Sequence, residues 1–70
     1  MQHPELDFHP DQYVPPKTAE KIIGCSAAHL GNLRFFGRGP AYSKVGTAIR
    51  YRIGDLHDYV RRNRVEPKKV

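Results

Sequence analysis

Cysteine occurs once in this chain, at Cys25, so no internal disulfide can form, and no Cys/His spacing of zinc-finger type is present. Long apolar runs are missing too: none approaches the ~20 residues needed to span a bilayer. The opening MQHPELDFHP has neither the basic region nor the apolar run of a signal peptide. These absences lead to the expectation of a soluble protein in a reducing, cytoplasmic setting, with no membrane partner. Length is the next shortage. Seventy residues make one domain whose core typically supplies ~3–5 kcal/mol of net stability, with no room for a separate substrate domain.

Acidic residues are scarce beyond position 20. Residues 1–20 carry one lysine, Lys17, against Glu5, Asp7, Asp11 and Glu20, a balance of −3; residues 21–70 carry eleven Lys and Arg against Asp55, Asp58 and Glu66, a balance of +8. An excess confined to one part of a small domain suits a polyanionic partner better than general solubility.

Residues 1–12 hold two prolines and scattered acids with little periodicity, which predicts a flexible N-terminal arm; Phe8 and Tyr13 are its candidates for packing back onto the body. Pro15-Pro16 then fixes the backbone for a first helix over residues 16–23, with Ala19, Ile22 and Ile23 on one face and Gly24 as its stop. Ser26 is placed to cap a second helix over residues 27–36, with Ala27, Leu30 and Leu33 inward and His29, Asn32 and Arg34 outward. Gly31 weakens that helix by ~1 kcal/mol relative to Ala, so a close backbone approach, to the first helix or to a phosphate, is one reason for it to be there. After the breaker cluster Gly37-Arg38-Gly39-Pro40, residues 42–45 and 48–52 alternate as two antiparallel strands turned at Gly46-Thr47. Ile49 and Tyr51 take the buried side. A last helix is expected over residues 54–63, with Asp55 in its first turn and Leu56, Tyr59 and Val60 as its apolar stripe. Residues 64–70 read as a basic tail.

The fold class expected is α+β, mainly α: a small winged helix-turn-helix, three helices with a two-stranded β-hairpin wing, over residues 13–63. In such an arrangement the second helix meets base edges in the major groove. The residues so placed are Ser26, Ala27, Ala28, His29, Asn32 and Arg34. Asn can bond adenine, Arg can bond guanine, and alanine can touch a thymine methyl. The wing would bring Lys44, Thr47, Arg50 and Arg52 to the phosphates or a flanking minor groove, with Arg38 nearby. Phe35 and Phe36 diverge by about 100° on a helix, so a small core cannot hold both easily; one could cover the arm, or the pair could be a protein-interface contact.

Catalytic chemistry has little to stand on. His3, His9, His29 and His57 fall on different elements and fix no metal geometry, so neither metal nor cofactor is expected. Cys25 reads as a structural thiol at the inter-helix turn. Gly37 and Gly39 follow no strand and precede no GKS or GKT, so they make no phosphate-binding loop.

The runs KTAEKIIGCS, GRGPAYSKVG, IRYR and DLHDYV, with Leu30 and Leu33 between the first two, resemble the excisionase/AlpA-type winged helix-turn-helix of the MerR superfamily. The resemblance covers residues 13–63. It implies a DNA-bending accessory protein, a recombination directionality factor of a mobile element. Such a protein binds repeated sites on double-stranded DNA cooperatively, touches its neighbours head to tail, and directs a tyrosine or serine integrase toward excision. It also implies a nucleoid-associated location and no catalytic activity. The alternatives are a small transcriptional regulator of the same fold and a protein-interaction adaptor that does not bind DNA. At Gly31, Asn32, Leu33 and Phe35 the sequence departs from the family pattern, so its recognition helix is plainer than most.

Overall fold

In the computed structural model of the chain, which describes residues 9–67, proline chemistry sets the first helix. Pro15 is extended and Pro16 takes the first helical position, where its missing N–H costs nothing. Helix α1 runs Pro16–Ile23 and ends on Gly24 in the left-handed conformation (φ 71°), whose N–H returns to the Glu20 carbonyl. Helix α2, Ala27–Phe35, starts from Ser26, whose hydroxyl accepts the His29 N–H at 3.0 Å. A second acceptor comes from α1 itself: the Glu20 carboxylate takes the Ala27 N–H at 2.9 Å.

The end of α2 is a Schellman closure. The Gly37 N–H reaches the Arg34 carbonyl at 3.0 Å and the Arg38 N–H reaches the Leu33 carbonyl at 2.7 Å, with Gly37 at φ 68°. Gly39, at φ 90°, is held by sterics as well as by conformation: a Cβ there would fall 2.9 Å from the Leu33 Cβ.

Strand β1 is Tyr13–Val14, β2 is Ser43–Val45 and β3 is Ala48–Arg52. They form an antiparallel sheet in the order β1-β3-β2, with Val14 opposite Tyr51, Ser43 opposite Arg50 and Lys44 opposite Ile49. The sheet therefore has three strands, one more than the two-stranded wing expected. Tyr13 and Val14 are too short a run to announce themselves by alternation, and the prolines after them hid the strand. At the hairpin tip only Gly46 has positive φ (65°), as a two-residue Gly-X turn requires.

Helix α3, Ile53–Arg62, follows β3 with no intervening loop and no side-chain cap. Its first N–H groups are satisfied from the N-terminal segment: Ile53 donates to the Gln12 carbonyl at 2.9 Å and Gly54 to the Pro10 carbonyl at 2.8 Å. Residues 10–12, expected within a flexible arm, thus lie against the start of α3; Phe8 and the rest of residues 1–8, like residues 68–70 of the basic tail, fall outside the described residues.

Val14, Ala19, Leu30, Tyr51, Ile53 and Leu56 form the core, with Ile22, Ile23, Cys25, Leu33 and Ile49 packed around it. Ala27 and Leu33 are only half-buried, and Val60 is exposed rather than part of an inward stripe. Gly31 does not mark a close approach of α2 to α1: among the described residues the atom near the position of its missing Cβ is the Arg34 Nη2, at 3.5 Å.

Candidate nucleic-acid interface

Advancing at about 100° per residue from the buried Leu30, the side of α2 turned away from the core carries Ala28, Asn32 and Phe35. Gly31 and His29 lie on its flanks. Ala28, His29, Asn32 and Phe35 are all exposed, Phe35 by 81%. This is a surface of small side chains, one amide and one aromatic ring. Ser26 and Ala27, expected at the same surface, are placed at the helix start, where the Ser26 hydroxyl and the Ala27 N–H are already engaged. The Glu20 carboxylate there complements the positive end of the α2 dipole and disfavours a phosphate at that point.

Arg34 does not point outward as expected. It lies about 40° around the helix from Leu30, half-buried, where its Nη1 donates to the Tyr51 hydroxyl at 2.7 Å. Its guanidinium carbon sits 5.8 Å from the centre of the Tyr42 ring and 6.0 Å from that of Tyr51. The two rings are 6.2 Å apart. Tyr51 has no exposed surface, so one end of Arg34 is anchored in the core.

The hairpin divides its cations between two faces. Directly opposed residues in an antiparallel pair share a face, so Lys44 lies with Ile49, Tyr51 and Tyr42, on the side where Arg34 of α2 reaches Tyr51. Arg50 lies with Ser43 on the other face, and its Nη1 folds back to the Ile49 carbonyl at 2.7 Å. Thr47 is exposed at the tip and Arg38 is exposed in the loop after α2.

Arg52, expected at the phosphates, is ion-paired within the chain. Its guanidinium bonds Asp11 at 3.0 Å and Asp55 at 3.2 Å, tying the N-terminal segment and the first turn of α3 to the end of β3. The hydrogen bond to Asp11, and then the two carboxylate charges, hold its pKa above the ordinary arginine value. With two acidic partners it is a structural fastener. The signal missed in the sequence was the acid three residues on, at Asp55, together with an acid in a segment taken for a mobile arm.

Phe35 and Phe36 pack edge to face with ring centres 5.1 Å apart, and both are exposed. Neither enters the core. Cys25 is half-buried at the inter-helix turn, and burial first, then the Glu20 charge, pushes its thiol pKa up. Among the described residues no group of three His, Cys, Asp or Glu side chains gathers as a metal site would need, and no helix is long and apolar enough to cross a membrane.

Compared with protein-family models, with curated proteins and with solved structures, the chain matches none of them.

Proposed function

We propose that this chain binds duplex DNA, with the outward face of α2 in the major groove and the β2–β3 hairpin along the flanking backbone. One observation carries the reading: the carboxylates of the described residues are all committed to internal partners, while cations beside α2 and the hairpin are left without an acidic one. Glu20 caps α2, Asp11 and Asp55 hold Arg52, Asp58 holds Arg61 and Glu66 holds Arg64. Arg34, Arg38, Lys44 and Arg50 have no carboxylate partner among the described residues. Lys17, Lys21 and Arg62 also lack such a partner on α1 and α3, but the four around α2 and the hairpin stand beside the exposed helix face, and acids spent internally leave there the field that attracts a polyanion.

The finer role follows from the resemblance. The chain acts as an excisionase-type accessory protein, bending DNA at repeated sites and directing a tyrosine or serine integrase toward excision. The plain face of α2 fits this role, because few base-reading side chains per copy leave specificity to DNA shape and to several copies side by side. Phe36, turned about 60° from the centre of the outward face, is the contact offered to the next copy.

Protection mapping on the DNA flanking its own gene tests the reading. Regularly spaced protected repeats inside an attachment site are expected. Protection of a promoter alone would make the protein a regulator, and no protection at low salt would remove DNA binding altogether.

A further inference from the structure

The position of Arg34 goes beyond a list of basic residues. Its angle on α2 differs by about 100° or more from those of Ala28, Asn32 and Phe35, and the bond to the Tyr51 hydroxyl with the two tyrosine rings holds it there. A helix that turns Ala28, Asn32 and Phe35 to the floor of a groove turns Arg34 back toward the hairpin, so any DNA it meets there is the sugar-phosphate backbone that the hairpin flanks, not a base edge.

We infer that Arg34 is a pre-positioned clamp for one DNA phosphate, seated between α2 and the β2–β3 hairpin, with Gly31 leaving the gap through which the phosphate reaches it. This rests on the DNA-binding reading and assigns within it a contact to backbone rather than to base.

Three observations converge on the seat. A guanidinium carries five N–H donors, and Tyr51 takes one of Arg34's. Its charge meets no carboxylate among the described residues, only neutral ring faces and a hydroxyl, so a half-buried cation is left for an anion to complete. Its Nη2 lies beside the bare Cα of Gly31, where a side chain would begin 3.5 Å from it. Lys44 emerges on the same side of the hairpin, beyond Tyr42, and extends the positive track along one strand of the backbone. Tyr51, which is buried, is a positioning residue: with the Tyr42 ring it fixes the fork and itself touches no DNA.

The test measures anisotropy of two labelled duplexes, one carrying the protein's own protected repeat and one unrelated, over a salt series with the full chain. Arg34→Gln should weaken both duplexes by the same factor, about tenfold, and make the log–log salt slope shallower by about one. Arg34→Lys keeps the charge and should keep the slope while losing affinity, because an ammonium lacks the planar fork. Tyr51→Phe should weaken both duplexes a few-fold at unchanged slope, since only positioning is lost. Gly31→Ala, which favours the helix, should raise the melting temperature and still weaken both duplexes. A loss confined to the cognate duplex would make Arg34 a base reader and overturn the inference, as would unchanged binding in Arg34→Gln. Failure of the unaltered protein to bind either duplex would instead remove the DNA-binding reading itself.

Discussion

The Glu20 carboxylate of α1 accepts the backbone N–H of Ala27 at the start of α2, 2.9 Å away. One side chain thereby satisfies an otherwise open donor of the next helix and fixes the angle between the two. The helix pair is thus joined by a charge-assisted bond across the Gly24-Cys25-Ser26 turn as well as by the core that Ala19 and Leu30 share. Glu20→Ala should cost about 1–2 kcal/mol of unfolding free energy in a denaturant titration. A loss within error would mean that the bond contributes nothing to the turn.

Gly24 and Gly39 both have positive φ, yet they differ in what surrounds them. Around Gly24 a Cβ meets nothing, whereas at Gly39 it would press against Leu33. Gly24→Ala should therefore cost only the left-handed penalty of about 1 kcal/mol. Gly39→Ala should cost about 1–3 kcal/mol more, because Leu33 must shift as well. Equal losses in urea melts would show that the loop opens freely away from α2.

Arg50 and Arg52 stand two residues apart on β3 and differ in partners. Arg52 is held by Asp11 and Asp55, while Arg50 faces only the Ile49 carbonyl. Replacing Arg50 with Ala should lower DNA affinity and make its salt slope shallower by about one. Arg52→Gln should leave the slope unchanged while lowering the melting temperature, since it releases the segment that caps α3. Salt slopes measured for both variants decide this, and a larger slope change at Arg52 would reverse the assignment.

Phe36 is exposed beside Phe35 at the end of α2. With it changed to Ala, binding to a single site should hold within about twofold while cooperativity between adjacent sites falls about tenfold, the size of a modest aromatic interface contact. Equal losses on one-site and two-site duplexes would place Phe36 at the DNA instead.

Much of the fold was legible because local rules agreed with the packing. Pro16, Gly24 and Ser26 punctuate α1 and α2 where those residue types belong, and the Gly46 turn set the hairpin. What the sequence did not disclose are relationships between distant residues. The pairing of Val14 with Tyr51, the capping of α3 by the carbonyls of Pro10 and Gln12, and the Asp11–Arg52 bond all join the first residues described to the last third of the chain, and no local pattern encodes them. The same holds at the interface. Periodicity placed His29, Asn32 and Arg34 outward, but it could not tell that Arg34 is drawn to Tyr51 or that Arg52 is spent on two carboxylates.

The central claim is that the uncompensated cations around α2 and the hairpin grip duplex DNA, and the salt dependence of binding tests it most directly. With Arg34, Arg38, Lys44 and Arg50 as the phosphate contacts, the logarithm of the association constant should fall linearly with the logarithm of salt concentration at a slope of roughly −3 to −4. Absence of binding at low salt, or an affinity indifferent to salt, would contradict the account.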